Sequence, residues 1–439
     1  MKKVIILFLF ASTFVFAQQK ILTLQESLDL GLKNSKELKI AKAKLKIAEV
    51  KKTESTSYLL PQLKFLASYM HLSNVPPFTI PVIPPIVTRP ITISPTILDN
   101  YSLKLSLQQP LFTGLKLWSL KDASNENYKA EESSYKNSVN DAALNIETAF
   151  WNLYKAKQLK SVLDENLKQI KKHLEDTKNF LKNGLATQND VLKLEVEYSN
   201  IELKIIDAKN NIDLARLNFN RILNLPIQEN TDIMITSMDT TFTKYNIDYI
   251  LKEAENNRND LKSLQYRVNA SDKGVTAAIG SWYPSIFLVG DYYYSKPNQR
   301  YFPAVDEFKN TWDVGISLQW DIWNWGLTSS QVTEAEQNKI EAQTAFEQLK
   351  DAVGVEVYKE YLNYNRTLDK VRVSQQSVEQ AKESYRIIQD KYDQQIATST
   401  DLIDAEVSVR QAKTNLTNSL VDFQLAKAQL EKAIGKIFY

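Results

Sequence analysis

The residues that could carry chemistry are few in this 439-residue chain. It has no cysteine and only two histidines, His71 on a predicted strand and His173 on a predicted helix. Such a pair cannot supply the usual histidine-rich zinc site or a Ser–His–Asp triad, and without cysteine there is no thiolate or disulfide chemistry. The phosphate-binding motif GxxxxGK is absent as well. The sequence therefore predicts a protein that is not an enzyme and has no cofactor and no metal site.

Two aspartates, Asp190 and Asp401, each follow a threonine by three residues, Thr187 and Thr398 respectively. A threonine at the N-cap satisfies free backbone N–H groups of a helix, and a carboxylate in the first turn is favoured by the helix dipole. Both threonines are therefore predicted helix starts. Asp404 lies one turn beyond Asp401, past the first turn, so capping accounts for it less well.

The N-terminal residues indicate the compartment. Lys2 and Lys3 precede an apolar run that ends near Ala17, which is typical of a secretory signal peptide over residues 1–17. The alternative, a membrane anchor, would need a longer run, because a helix must cross about 30 Å of hydrocarbon. The 54 basic and 52 acidic residues nearly balance, giving a net charge of +2. That balance argues against nucleic acid as a partner.

The chain repeats itself. A shift of 211 residues superimposes the motif around Ala186 on that around Ala397, and upstream a shift of 223 superimposes Pro61 on Pro284. Prolines are missing from 111–225 and 304–439, so both stretches can be long helices. The predicted organisation is a first repeat, a linker and a second repeat, over residues 18–225, 226–245 and 246–439.

Each repeat contains a pair of segments in which apolar and polar residues alternate. They lie at about 62–72 and 101–112 in the first repeat, and at about 285–296 and 311–323 in the second. A period of two predicts a strand with one apolar face, and about ten residues is enough for a tilted strand to cross a bilayer. A soluble hairpin with one face on a core is the alternative. Aromatic residues expected at the membrane interface flank the second pair: Trp282, Tyr283, Trp320, Trp323 and Trp325.

Long helical hairpins follow the strands, with turns near 183–187 and 395–398. From Val191 onward ten residues at 3-4 spacing are all apolar or aromatic, and nine of ten are apolar in the second repeat from Leu402. This is a heptad seam of left-handed coiled coils. A second apolar stripe that includes Leu192 predicts that more than one helix face is buried, which favours a closed helical barrel over a two-stranded rod.

These motifs together resemble the TolC-like outer-membrane efflux channels. The resemblance rests on LTLQESL at 22–28, the prolines before the strands, QPLFTG at 109–114, GLATQND at 184–190 and its repeat at 395–401. It covers essentially the whole chain after the signal peptide. It implies a fold that is mainly α with a membrane β part, in which a coiled-coil helical barrel continues into a transmembrane β-barrel. Four strands per protomer would give 12 in a homotrimer.

The resemblance also implies roles for residues at the tip. Asp401 and Asp404 match two aspartates that line the pore constriction, for which helix capping is the alternative at Asp401. Asp190 and Tyr392 match a pair that closes the tip, with ordinary helix packing as the alternative for Tyr392. The family's arginine lock falls on Ala397, so an arginine-based closure is not expected here.

The function expected from this resemblance is that of a passive export duct in the outer membrane, with a large periplasmic extension. It would work with a periplasmic adaptor and an inner-membrane pump, and it would contact outer-membrane lipid. The alternative is a periplasmic coiled-coil adaptor or scaffold without a pore, which would lack amphipathic strands. No pattern identifies the exported substrate.

Overall fold

A computed structural model of the chain describes residues 20–94, 96–235 and 242–436. The predicted signal peptide and part of the predicted linker, residues 236–241, lie outside the described residues. The described residues form two compact units. The first comprises residues up to Lys42, Tyr135–Asn259 and the chain from Lys350 onward; the second comprises Ala43–Ser134 and Asp260–Leu349.

The fold is mainly helical. The helices are α1 (Leu24–Asn34), α2 (Lys36–Ser57), α3 (Lys116–Lys182), α4 (Gln188–Ile222), α5 (Ile247–Asn257), α6 (Asn259–Ile279), α7 (Leu327–Asp393) and α8 (Ser399–Ala433). The strands are β1 (Lys20–Leu22), β2 (Gln62–His71), β3 (Phe78–Ile80), β4 (Ile91–Ser94), β5 (Asp99–Phe112), β6 (Thr231–Ile233), β7 (Ser285–Lys296) and β8 (Lys309–Gln319). Helices α3 and α7 each have 67 residues, and α4 and α8 each have 35.

Within the described ranges, no helix is both long and apolar enough to cross a membrane.

Three helices of the first unit begin with a capping box, in which threonine and acid each accept from the other's backbone N–H. The boxes are Thr23 with Glu26 on α1, Thr187 with Asp190 on α4, and Thr398 with Asp401 on α8. The caps predicted at the two threonines near the hairpin turns are therefore confirmed. Each box fixes where its helix starts, and so fixes the positions of the turns at 183–187 and 395–398.

The predicted heptad seams hold the helices of the first unit together. All ten seam residues of α4, from Val191 to Ile222, are buried or half-buried, and so are all ten of α8, from Leu402 to Ala433. The second stripe is exposed in the single chain, because no other described segment covers that face of α4. The exposed fractions are 49 to 62% for its four members, Leu192, Val196, Leu203 and Ile206. Its predicted burial in a closed helical barrel stays a prediction.

Four antiparallel strands of the second unit form one sheet, in the order β2-β5-β7-β8. The strand expected over 311–323 ends at Gln319, and this boundary is a correction. Gln319 pairs with Ser285, the first residue of β7. Ser285 is preceded by Pro284, which has no N–H to donate, and by the 3₁₀ turn Gly280–Trp282. Because β7 begins only at Ser285, residues 320–323 have no strand to pair with.

Two glycines of the second unit meet where strands give way to helices. Gly114 has a φ of +61°, and a Cβ built on it would lie 2.2 Å from the carbonyl oxygen of Gly280. A Cβ on Gly280 would lie 2.5 Å from the carbonyl oxygen of Gly114. Side chains at either position would force these two backbones apart, so this contact depends on glycine.

We expect Gly114→Ala to destabilise the protein by at least about 1–3 kcal/mol, because it adds both a backbone clash and left-handed strain. Thermal unfolding of the detergent-solubilised protein, followed by circular dichroism, measures this.

Gly274→Ala is the matched control, since Gly274 lies within α6 with no atom near its added Cβ. Alanine favours a helix over glycine by about 1 kcal/mol, so this variant should be neutral or slightly more stable. Equal unfolding temperatures for the two variants would mean that the glycine contact is unimportant.

Candidate functional site

The register of the sheet places one alternating row of apolar residues from each of the four strands on the same face. Leu63 of β2 lies opposite Leu107 of β5, which lies opposite Gly290 of β7, which lies opposite Val314 of β8. Residues directly opposite each other point to the same side of a sheet. The face comprises Leu63, Phe65, Ala67, Tyr69, Tyr101, Leu103, Leu105, Leu107, Ile286, Leu288, Gly290, Tyr292, Tyr294, Trp312, Val314, Ile316 and Leu318.

This apolar face is largely exposed, whereas the other face is mainly polar and also carries Leu66, Met70, Phe287 and Val289. On β8 the side chains of Trp312, Val314 and Ile316 are about 70% exposed. The opposite face carries an ion pair between the Lys104 ammonium and the Asp291 carboxylate, with a nitrogen–oxygen distance of 2.8 Å. Such a division of faces suits a sheet with hydrocarbon on one side and water on the other.

The five predicted interface aromatics lie at one end of this sheet. Trp282 and Tyr283 precede β7, and Trp320 follows β8, where the indole Nε1 donates to the Trp282 carbonyl at 3.1 Å. The rings of Trp323 and Trp325 meet edge to face, with centroids 5.8 Å apart. All five side chains are more than half exposed.

The sequence patterns did not single out a second aromatic cluster at the opposite end. Tyr69 and Tyr101 have ring centroids 4.9 Å apart, Tyr101 and Phe308 5.8 Å, and Tyr294 and Phe308 5.0 Å. The three tyrosines stand at the ends of the apolar rows of β2, β5 and β7. Their place in the alternation was the sequence signal that could have identified this cluster. From Ile286 to Tyr294 the strand rises about 27 Å along its own axis, so the two clusters lie at opposite ends of the apolar rows.

At the tip of the first unit the two helical hairpins are joined by hydrogen bonds. The Tyr392 hydroxyl of α7 lies 2.6 Å from the Thr177 hydroxyl of α3, and both residues are buried. The Ser399 hydroxyl of α8 donates to Asp190 Oδ1 of α4 at 2.7 Å. Asp190 and Tyr392 line the same cavity but bond to these other residues rather than to each other.

The electrostatics of these groups follow from their neighbours. Hydrogen bonds from Thr187 and Ser399 lower the pKa of Asp190, so this carboxylate stays ionised. Burial raises the pKa of Tyr392, which keeps the phenol protonated as a donor. The hydroxyl and backbone N–H of Thr398 lower the pKa of Asp401. Asp404 is exposed one turn further along α8.

A cavity of about 180 Å³ lies between the two turns, lined by Phe180, Leu185, Ala186, Asp190, Tyr392, Gln395, Ala397, Thr398 and Ser399. Ala397 occupies the position where the resemblance places an arginine. The alanine side chain cannot pair with Asp190, and Ser399 two residues later does so instead. The sequence could not identify Ser399 or Thr177, because neither local pattern nor charge distinguishes them.

Comparison with known proteins agrees with this geometry. Residues 28–225 and 250–436 match the model of the outer membrane efflux protein family. Outer membrane protein TolC of Vibrio cholerae is 24% identical over 189 residues, which are 43% of this chain and 43% of that protein. TolC of Escherichia coli is 25% identical over 124 residues. The chain spans less than half the length of the curated relatives it matches.

Solved structures share the fold over nearly the whole chain. VceC of Vibrio cholerae gives a TM-score of 0.76 at 19% identity, covering 95% of this chain and 97% of that one. The CmeC outer membrane channel of Campylobacter jejuni gives a TM-score of 0.77 at 18% identity, covering 94% of this chain and 85% of that one.

These matches favour the channel prediction over the adaptor alternative and support the prediction that the chain is not an enzyme. The chain therefore belongs to the outer membrane efflux protein family, which places it in the outer membrane with a long periplasmic helical extension.

Proposed function

We propose that three copies of this chain form the passive outer-membrane duct of a tripartite efflux or secretion system. The exposed apolar face of the four-stranded sheet, bracketed by aromatic clusters, is the observation that carries the proposal. A face of this kind is stable against lipid and costly in water. The five aromatics from Trp282 to Trp325 would then lie at one membrane interface and the tyrosine cluster at the other.

Among the described residues, the outer strands β2 and β8 each pair with another strand on one side only. An unpaired strand edge cannot remain in hydrocarbon, because its backbone N–H and C=O groups would find no partner there. Pairing of β2 with β8 of the next copy would remove both edges. Three copies of four strands would give a closed 12-stranded barrel.

The helices support the same assembly. The exposed stripe of α4 that begins at Leu192 continues an apolar pattern of heptad spacing, and α7 exposes Val355, Tyr358 and Leu362. Neighbouring copies would bury these stripes and close a helical barrel. The equal lengths of α3 and α7, and of α4 and α8, support an origin of the chain by internal duplication.

The tip would act as the constriction. Asp401 and Asp404 from three copies would form two acidic rings, which favour cations and repel anions. The Thr177–Tyr392 and Asp190–Ser399 bonds would hold the hairpins together in place of an arginine lock. An inner-membrane pump would supply the energy and a periplasmic adaptor would bind at this end.

We expect the acidic rings to make the channel selective for cations. In a planar bilayer with a KCl gradient, the reversal potential of the wild type should indicate selectivity for K⁺. Asp401→Asn combined with Asp404→Asn should lower the K⁺ to Cl⁻ permeability ratio by about tenfold or more, because the field that concentrates cations is removed.

Glu26→Gln is the control, because it removes the acid of the same kind of capping box on α1. Its selectivity should match the wild type. An unchanged K⁺ to Cl⁻ permeability ratio in the double variant would mean that Asp401 only caps its helix. If the correctly folded wild type never conducts, the duct hypothesis is refuted, and the alternative of a periplasmic adaptor without a pore takes its place.

We expect the hydrogen bonds at the tip to slow its opening. Ser399→Ala and Tyr392→Phe each remove one hydroxyl, and each should weaken the tip by about 0.5–1.5 kcal/mol. Hydrogen–deuterium exchange should then be faster at residues 183–190 and 395–401. Because the pKa of Asp190 is lowered, its bond is present above about pH 4 and is lost as the pH falls through the lowered value.

Ser408→Ala is the matched control, since the Ser408 hydroxyl donates within its own helix, to the Asp404 carbonyl at 2.8 Å. It should leave exchange at both turns unchanged. Equal exchange in Ser399→Ala and Ser408→Ala would mean that the Asp190–Ser399 bond does not hold the tip.

A further inference from the structure

The connection between β7 and β8, residues 297–308, folds back onto the sheet at the end that carries the tyrosine cluster. Asn298, near the start of the connection, is only 3% exposed. Its side-chain nitrogen donates to the Lys309 carbonyl at 3.0 Å and to Thr311 Oγ1 at 3.1 Å. Its side-chain oxygen accepts from the Arg300 backbone N–H at 3.0 Å. These bonds hold the first turn of the connection against β8.

The Arg300 side chain ties this connection to β8 a second time. One terminal nitrogen of its guanidinium donates to the Trp312 carbonyl at 2.9 Å, and the other forms an ion pair with the Asp313 carboxylate. Asp313 lies between Trp312 and Val314 of the apolar row, so it points to the mainly polar face of the sheet. A guanidinium presents its donors in a rigid fork, so this contact fixes position as well as charge.

The same guanidinium continues a set of polar contacts across the mainly polar face. The centroid of the Tyr293 ring, on β7, is 5.8 Å from the Arg300 guanidinium carbon and 5.1 Å from the Lys104 ammonium of β5. The Tyr293 hydroxyl donates to the Asp291 carboxylate at 3.1 Å, and Lys104 pairs with that same carboxylate. Cations over an aromatic face are attracted to it. Arg300 is therefore linked to β7 and β5 as well as to β8.

A cavity of about 430 Å³ lies between the connection and the mainly polar face. Every strand of the sheet contributes to its walls, and so does the connection: Ser68, Ser102, Ser295, Thr311, Asn298 and Arg300. The connection thus reaches across the face of the sheet instead of extending away from its end.

The first repeat has different residues at the positions that hold this connection. The 211-residue shift relates Asp313 to Ser102, and the 223-residue shift relates Asp291 to Ser68. Serine has no charge with which to pair an arginine or a lysine. The longer connection of that repeat, between β2 and β5, forms a hairpin of its own from β3 and β4. The tie through carboxylates on the polar face is therefore a feature of the second repeat.

We propose that Arg300 is a positioning residue that holds the β7–β8 connection across the polar face and thereby narrows the outward end of the duct. The inference rests on the proposed function, in which the polar face lines the water-filled lumen. The helices leave the sheet at the end opposite to the tyrosine cluster and extend into the periplasm, so the tyrosine-cluster end is the outward one. Three copies of the chain would place three such connections around the mouth.

Single-channel recording of the reconstituted full chain tests the narrowing. Arg300→Gln and Asp313→Asn remove the same ion pair but change the charge of the lumen in opposite directions. In concentrated KCl, where fixed charges are screened, both variants should have a higher conductance than the wild type, because the connection is released from the mouth. Conductance changes of opposite sign would mean that charge alone acts there. That result, or an unchanged conductance in both variants, would overturn the proposal.

Arg89→Gln is the matched control for the loss of one guanidinium at this end. Arg89 lies between β3 and β4, in the connection of the first repeat, and is exposed. Its variant loses the same charge as Arg300→Gln from a segment that forms its own hairpin. The conductance of Arg89→Gln should therefore equal that of the wild type. A rise as large as that of Arg300→Gln would contradict a specific role for Arg300.

Thiol labelling tests the tie without any need for conduction. The chain has no cysteine, so Ser102→Cys provides a single thiol in the wall of the cavity. In detergent, this thiol should react with a charged, water-soluble methanethiosulfonate about threefold or more faster when Arg300→Gln is added, the factor expected for loss of a partly exposed ion pair. Asp313→Asn should accelerate the reaction in the same way.

Gln108→Cys is the labelling control, because Gln108 lies on the same face of β5 near its other end, opposite Gln62. Its thiol should react at the same rate with and without Arg300→Gln. Equal rates for Ser102→Cys in the two backgrounds would overturn the tie, even in a protein that conducts. Faster labelling in a protein that never conducts would support the tie and refute the duct instead.

Discussion

Backbone hydrogen bonding along two strands constrains everything else in this protein. The sheet presents an apolar face, and among the described residues no further strand pairs with the outer edges of β2 and β8. Water could satisfy the N–H and C=O groups of those edges, but hydrocarbon cannot. In the proposed duct, neighbouring copies of the chain would supply the missing partners of both edges. The exposed stripes of α4 and α7 present the same requirement in helical form.

The sequence was sufficient to predict those features of the fold that depend on a local pattern within one element. Alternation in β5 and β8 identified the apolar face, 3-4 spacing identified the seams of α4 and α8, and threonine–acid pairs identified the helix starts. Each of these patterns reflects one element and its own periodicity. The family motifs then identified the fold class, because their order and spacing recur in both repeats.

Where two distant elements meet, the sequence was less informative. The end of β8 depended on where its partner β7 begins, and no pattern within residues 311–323 carries that information. Ser399 and Thr177 bond across hairpins, at positions set by the relative register of long helices. The partners that they meet are fixed by packing, which a single sequence does not record.

The length of α7 has a mechanical consequence. Its 67 residues make a rod of about 100 Å at 1.5 Å per residue, with no proline to bend it. Turning such a rod by one degree about one end carries the far end through about 1.7 Å, given that length. A few degrees would thus exceed the reach of any hydrogen bond at the tip. In the proposed duct this helix would be a long lever, so small angular changes near one end would move the contacts at its other end.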